Sequence, residues 1–275
     1  MREMPNRLLP IRTVLCLIGI VTLNGPVKAQ PALPAFPSAR EVKPEVRAHV
    51  NQTDSTYTYT YDVSNASGAQ QSIDDFFVVI GDAPILGASQ PRHWDCSHMT
   101  VKSVRTFDWG ALVVSATISP GQNAKRFTLT SPTVPGIVIG HASGLIPPDT
   151  AADETEYDST GRDELSNSVT FTTVGPKDPQ APFQPLLFLD TLSSYITRSR
   201  AYGWIADQRT ADKYSEYFNS ARSRLQSADV SAAVRGLQTV LTSVKADSVA
   251  SLKGEAYALI RYDTEYLVSK IQEKN

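Results

Sequence analysis

The sequence predicts an α+β protein with two domains, an antiparallel β-sandwich followed by an up-down bundle of three to four helices. Between residues 46 and 176, apolar side chains recur at every second position in short runs separated by turns that contain Gly or Pro. Between residues 188 and 275 they recur at every third or fourth position. These periods are those of half-buried strands and of amphipathic helices. The proline-rich segment 177–187 is the predicted linker between the two domains.

The first 29 residues have the layout of a secretory signal peptide. Arg2, Arg7 and Arg12 precede a short apolar run at 14–21, and Val27-Lys28-Ala29 resembles a signal-peptidase site. The apolar run is shorter than a helix needs to cross a bilayer, although a retained anchor is the alternative. We therefore expect cleavage after Ala29, a secreted location (periplasmic or extracellular), and no transmembrane segment in the mature chain.

Charge and cysteine content narrow the class of protein. Cleavage would remove four positive charges and one negative charge, which changes the net charge from −2 to −5. A mildly acidic chain without a basic stripe does not suit a phosphate backbone, so we expect no nucleic-acid partner. Cys16 lies in the signal peptide, which leaves Cys96 without a partner for an internal disulfide. An exported protein of this kind depends on core packing, which fits the bacterial envelope.

The sandwich is predicted to follow a tether at 30–45, whose four prolines favour extended backbone. Tyr57, Tyr59, Tyr61 and Val63 then alternate with polar residues, as in a strand with one buried face. We expect these tyrosine rings to fill the core, with an exposed aromatic platform for a sugar as the alternative. Further strands are predicted at 73–80, 99–104, 107–109, 112–118, 127–130, 137–139 and 169–174.

Four helices account for the rest of the chain. Each has one apolar stripe and one charged face, and short joins make neighbours in sequence antiparallel neighbours in space. The apolar stripe of the first helix runs from Leu186 to Ser199, and the helix ends near Tyr202-Gly203, where Gly203 suits a C-cap. The predicted N-caps of the next three helices are Thr210, Asp229 and either Asp247 or Ser248. The stripes are expected to be satisfied by packing of the helices against each other.

Two polar segments of the sandwich are candidate metal sites. The segment from His93 to His98 holds imidazole, carboxylate and thiol groups, and His93, Asp95 and His98 could bind zinc. Their spacing matches no recognised zinc pattern, so an ordinary loop is the alternative. The acidic run from Asp149 to Glu164 could bind calcium, with a solvated loop as the alternative. We expect no cofactor, and zinc or calcium is the alternative.

Aromatic residues near the domain junction are the predicted partner-binding residues. Tyr202 and Trp204 follow the first helix, and Trp94 lies in the segment after Pro91. Motifs for a nucleophile elbow, a zinc protease or a phosphate-binding loop do not occur in the sequence. We therefore expect a protein that is not an enzyme.

Two stretches resemble known bacterial modules. The helical part has small and apolar residues at Ser194-Tyr195-Ile196, Gly203-Trp204-Ile205, Ala221, Leu225, Ala233, Leu237, Leu241, Val244, Ala256 and Leu259-Ile260. This pattern resembles the FIMAH-type helical domain, a C-terminal module of bacterial secreted proteins. Upstream, Gln71, Ile73, Phe76, Val78, Trp109 and Ile118-Ser119-Pro120-Gly121 are similar to β-sandwich modules of uncharacterised exported proteins. Both resemblances imply an accessory or adhesive role, with no catalytic residue to carry over.

The sequence thus predicts a secreted, non-enzymatic binding, adhesion or accessory protein of the bacterial cell envelope or extracellular space. The expected partner is a polysaccharide or another envelope protein. One alternative is a metal-dependent hydrolase that uses His93, Asp95 and His98. The other alternative is a structural subunit of the envelope.

Overall fold

Two antiparallel β-sheets followed by four α-helices make up the described part of the computed structural model, which comprises residues 37–101, 103–145 and 167–273. All of these residues belong to one compact unit. The predicted signal peptide, residues 30–36 of the tether and the acidic run from Asp149 to Glu164 lie outside the described residues.

The nine strands that the structure describes form the predicted sandwich. One sheet has the order β1 (Pro44–Thr53), β2 (Thr56–Asn65), β7 (Asn123–Ser131) and β4 (Gly87–Ser89). The facing sheet has the order β5 (Trp94–Val101), β6 (Val104–Ala111), β3 (Ile73–Val79), β8 (Pro135–Gly144) and β9 (Val169–Pro176). All adjacent strands pair in the antiparallel direction. The fold class is therefore confirmed.

Aromatic rings from both sheets fill the sandwich core. Tyr57, Tyr59 and Tyr61 are buried because they occupy the same face of β2, as the alternation predicts. The Tyr59 hydroxyl donates to the carbonyl of Thr133 at 2.7 Å, which satisfies its polar end inside the core. From the facing sheet, Phe76 stacks on Trp109 with ring centroids 5.2 Å apart. The prediction that the tyrosine rings fill the core is confirmed.

The sequence pattern misplaced some strands. Residues 112–118, predicted as a strand, contain a turn of 3₁₀ helix at Val114–Ala116, and Leu112 is 63% exposed. Apolar alternation alone does not make a strand when no neighbouring strand pairs with it, and within this stretch only Ile118 forms a β-bridge, to Ile73. Strand β1 was not predicted, because most of its residues are charged or polar and exposed.

The four helices form the predicted up-down bundle. They are α1 (Pro185–Ala201), α2 (Gln208–Gln226), α3 (Val230–Asp247) and α4 (Gly254–Gln272). Consecutive helices pack together, and α1 also packs against α4. Gly203 ends the first helix as predicted, with a φ of 67° that suits glycine. The Trp204 amide bonds to the Ser199 carbonyl at 2.8 Å and the Gly203 amide to the Arg200 carbonyl at 3.1 Å, which is a Schellman cap.

The structure corrects two of the predicted N-caps. The cap of α2 is Asp207, whose carboxylate accepts from the Thr210 amide at 2.8 Å, so Thr210 lies one turn inside the helix. Asp229 caps α3 as predicted. Helix α4 begins at Gly254 instead of at Asp247 or Ser248. Asp247 is instead the last residue of α3, where it contacts Lys213 and accepts from the Tyr214 hydroxyl at 2.6 Å.

Helix α4 packs against the sandwich as well as against the other helices. Strand β1 lies at the edge of its sheet, and α4 satisfies backbone groups along that edge. Glu255 Oε1 accepts from the Ala48 amide at 2.9 Å, and the Tyr262 hydroxyl donates to the Val50 carbonyl at 3.1 Å. The expectation that the helix stripes pack only on each other is therefore wrong for α4, which also buries Asp263.

Within the described residues, no helix has both the length and the hydropathy that crossing a membrane would need.

The core of the bundle should be sensitive to side-chain truncation. Leu237 of α3 is 0% exposed. We expect Leu237→Ala to leave a cavity that lowers the free energy of unfolding by ~2–5 kcal/mol. Urea titration followed by circular dichroism would measure this loss. Leu187→Ala, at a leucine that is 41% exposed on α1, is the control, and an equal loss in both variants would contradict the assigned bundle core.

Candidate functional site

A groove of about 480 Å³ lies where the sandwich meets helix α1. Its walls are residues 79–82 at the end of β3, residues 137–139 of β8, residues 176–178 at the end of β9 and just after it, and Arg198 of α1. We call it the junction groove. Its volume lies in the range of ordinary ligand-binding pockets.

Lys177 crosses one wall of the junction groove. Its stem lies directly over Gly136 of β8, where any Cβ atom would overlap it. Its Nζ atom lies 3.5 Å from the carbonyl oxygen of Ile137. A glycine on β8 therefore allows the lysine to lie flat across the sheet, with its ammonium group at the groove.

Arg198 and Tyr202 form the helical side of this surface. They are one turn apart on α1, and Arg198 Nη2 donates to the Tyr202 hydroxyl at 3.5 Å. The Arg198 guanidinium carbon lies 5.9 Å from the centroid of the Tyr202 ring. Hydrogen bonds from Arg198 and then from Thr172 of β9 lower the pKa of Tyr202. The Schellman cap at Gly203 fixes the backbone here, so the 42% exposed ring has a defined position.

The charges of the groove are unevenly satisfied. In the described parts of the chain, neither Lys177 nor Arg198 forms an ion pair with a carboxylate. Asp178 accepts from the Thr133 hydroxyl at 3.1 Å, and Asp82 lies 3.9 Å from Arg105. Partial burial, and second the positive charge of Arg198, lower the pKa of Lys177. Two neighbouring cations that form no ion pair with the two carboxylates of the groove favour the binding of an anion.

Apolar surface lies next to these charges. Ile139 of β8 is 54% exposed on the wall of the groove. On the other side of the Lys177–Asp178 segment is a second hollow of about 250 Å³. Its lining includes Phe183, Leu187 and Phe188. The surface can therefore contact the faces of a ring or an alkyl group as well as an anion.

The structure does not bring the predicted metal ligands together. Asp95 and His98 are on opposite faces of β5, since successive side chains of a strand alternate. The ring of His98 packs edge-on against Phe107 at 4.9 Å. His93 precedes the strand with a φ of 65°. Among the described residues, no group of three or more His, Cys, Asp or Glu side chains could hold a metal ion.

Cys96 is a poor candidate nucleophile in this position. Its thiol donates to Gln90 Oε1 at 3.2 Å. Burial, followed by the negative charges of Asp95 and Asp108, raises the pKa of Cys96. A raised pKa reduces the thiolate fraction, which is the reactive form.

Two of the three predicted partner-binding aromatics are buried. Trp94 is 4% exposed: its Nε1 donates to the Ala116 carbonyl at 3.0 Å and its ring meets Phe127 edge-on. Trp204 is 7% exposed, and its carbonyl accepts from the Lys253 amide at 2.8 Å, which ties two interhelical joins together. These residues therefore stabilise the core instead of forming a binding surface. Tyr202 remains as the exposed aromatic residue of the three.

Sequence reasoning did not identify Lys177 and Arg198. Lys177 lies where the two-residue period ends, and Arg198 precedes Tyr202 by four residues near the end of the first helix, so the position and the spacing were signals. It also did not identify the buried pair of His141 and Ser168, whose Nδ1 and Oγ atoms are 2.9 Å apart. Burial lowers the pKa of His141, and its ring stacks on Phe77. These contacts account for the histidine as part of the packed sheet.

Comparisons with known proteins give no family for this chain. No protein-family model and no curated protein sequence matches it. One similar solved structure is an uncharacterised protein from Nocardia farcinica with an immunoglobulin-like fold, at 14% identity and a TM-score of 0.29, covering 46% of this chain and 96% of that chain. Another is the TssK-TssF-TssG baseplate subcomplex of a type VI secretion system, at 10% identity and a TM-score of 0.16, covering 83% of this chain and 85% of that chain.

Proposed function

We propose that this protein is an exported, non-enzymatic binding protein of the bacterial cell envelope or extracellular space, and that its junction groove binds an acidic polysaccharide. The observation that carries the proposal is the position of two unpaired cations, Lys177 and Arg198, beside the exposed ring of Tyr202. The signal-peptide layout of residues 1–29 supports export.

Each side chain has a function that fits such a ligand. The planar guanidinium of Arg198 can bind a carboxylate through two parallel hydrogen bonds, whereas Lys177 acts as a point charge. The flat, half-exposed ring of Tyr202 offers apolar area to a sugar face and a hydroxyl to its edge. Exposed Ile139 extends the apolar area along β8. An acidic sugar presents these same three features, a carboxylate, an apolar ring face and hydroxyl groups.

Retention on immobilised polysaccharides tests the proposal. We expect the wild type to be retained on polyuronates and to elute as salt is raised, because the binding is partly electrostatic. The double variant Lys177→Ala/Arg198→Ala should lose about 10-fold or more in affinity, since two charge-assisted contacts disappear. Neutral glucans should retain both proteins weakly and equally.

The control removes the same charge from another surface. Lys125→Ala/Lys245→Ala changes two exposed lysines outside the junction groove and should bind like the wild type. An equal loss of affinity in both double variants would show that net charge, and not the junction groove, determines the binding. An absence of retention on every acidic and neutral polysaccharide of a broad panel, including peptidoglycan, would overturn the proposal.

A further inference from the structure

The outer edge of the five-stranded sheet is open to solvent. Strand β5 is the last strand on this side and pairs only with β6. Asp95, Ser97, His98 and Thr100 along it are all exposed. An eight-residue strand of this kind presents a row of backbone groups to which another strand can add.

The hairpin geometry shows which backbone groups face outward. Val101 pairs with Val104 across a two-residue connection, so the ladder bonds to β6 fall at odd-numbered residues of β5. The amides and carbonyls of Cys96, His98 and Thr100 consequently face away from β6. The Cys96 amide confirms this parity, because it bonds to the Asp95 carboxylate at 2.9 Å instead of to the ladder. The backbone amides of His98 and Thr100 have no such hydrogen-bond partner within the described residues.

The other edges of the sandwich differ from β5. Strand β9, at the opposite edge of the same sheet, packs against β1 and ends in Pro176. On β1, outward groups of Ala48 and Val50 are already bonded to Glu255 and Tyr262 of α4. Strand β4 has only three residues. Proteins protect long edges with proline or lysine, and the segment from Trp94 to Val101 contains neither of these residues nor arginine.

We propose that two copies of this chain associate by antiparallel pairing of β5 with β5 about a two-fold axis at His98. In this register His98 faces its own symmetry mate, and Cys96 faces Thr100 of the partner subunit. The outward amides and carbonyls of Cys96, His98 and Thr100 then become paired, and the Cys96 amide exchanges the Asp95 carboxylate for a carbonyl of the facing strand. Asp95 faces Val101 of the partner subunit. The two copies of Asp95 lie six residues apart along the paired strands, roughly 20 Å, so no like charges oppose each other.

This pairing leaves the junction groove accessible. The groove is lined by residues of β3 and β8 and by the segment after β9, whereas β5 lies at the other edge of the sheet. A dimer would therefore present two grooves, and a polymeric ligand could engage both, which raises the overall affinity without a new contact. The dimer itself does not depend on the proposed ligand.

A proline substitution tests the backbone contact. His98→Pro removes an outward amide but no ladder bond to β6, and edge strands accept proline on their free side. Sedimentation equilibrium of the mature chain should give a dimer for the wild type and for His98→Thr, which keeps the amide. The His98→Pro protein should dimerise at least about 10-fold more weakly. A monomeric wild type at about 100 μM, or an unchanged dimer with proline, would overturn the proposal.

A disulfide experiment tests the register without relying on a destabilising change. Facing residues in this pairing have Cα atoms about 5.5 Å apart, within disulfide range. In a Cys96→Ser background, His98→Cys should form an interchain disulfide under mild oxidation. Thr100→Cys in the same background should not, because that residue lies about 13 Å from its own mate. Equal cross-linking of the two variants would contradict the two-fold at His98.

Discussion

The Asp263→Asn variant is expected to be more stable than the wild type at neutral pH and to match it near pH 4. Asp263 lies on α4, is 0% exposed, and neither of its carboxylate oxygens has a hydrogen-bond partner. Burial raises the pKa of Asp263 well above its ordinary value. Asn has the shape of the protonated acid and stays neutral, so it avoids the cost of keeping or ionising a buried carboxyl group.

The direction of the pH effect follows from the raised pKa. In the unfolded chain Asp263 ionises near pH 4, whereas in the folded chain it stays protonated to a higher pH. The stability that this group contributes is therefore fully present below about pH 4 and is lost as the pH rises towards its folded-state pKa. Within this window the loss is about 1.4 kcal/mol for each pH unit.

Urea titrations at several pH values between 4 and 8 would measure this difference. The free energy of unfolding of Asp263→Asn minus that of the wild type should increase with pH across the window. Asp212→Asn, at an exposed aspartate of α2, is the control and should follow the wild type at every pH. A constant difference between Asp263→Asn and the wild type would show that Asp263 ionises normally in the folded protein.

Glu255→Ala is expected to destabilise the protein by about 1–3 kcal/mol. Glu255 is 3% exposed, and its Oε1 atom accepts from the amide of Ala48, which is itself fully buried on β1. Removing the acceptor leaves this amide desolvated and unpaired. It also uncovers part of the β1 edge, so we expect a greater tendency to aggregate.

Glu255→Gln separates the hydrogen bond from the charge. Glutamine keeps an oxygen at the same place, so this variant should retain most of the stability that Glu255→Ala loses. Chemical denaturation gives the free energies, and light scattering reports aggregation. If Glu255→Gln is as unstable as Glu255→Ala, the negative charge at the start of α4 matters more than the bond to Ala48.

The sequence was informative where one period governs a whole element. The alternation in β2 identified its buried tyrosines, and the apolar stripes located four helices. It was less informative where tertiary contacts decide the structure. Strand β1 is stabilised by its pairing with β2 and by hydrogen bonds with α4. Its two partners on α4, Glu255 and Tyr262, lie more than 200 residues away in sequence. Residues 112–114 are also apolar, but they belong to no strand of the structure, and a 3₁₀ turn begins at Val114.

The candidate site was only partly predictable for the same reason. Tyr202 was identified as an exposed aromatic near the domain junction, and its exposure is confirmed. Trp94 and Trp204 were assigned to the same surface because a tryptophan in a loop has the same sequence signature whether it is buried or exposed. Lys177 and Arg198 are 21 residues apart in sequence. Only the packing of α1 beside β8 brings them to one groove.

Under the proposed function, the sandwich and the bundle together form the binding surface. Amide chemical-shift mapping with an oligouronate is the most direct test of this arrangement. Titration of the labelled mature chain should shift signals from β8 around Ile139, from Lys177, and from Arg198 to Tyr202 of α1, all with one dissociation constant. The Lys177→Ala/Arg198→Ala variant should abolish these shifts at the same ligand concentration. Shifts confined to another surface, or none at saturating ligand, would contradict the account.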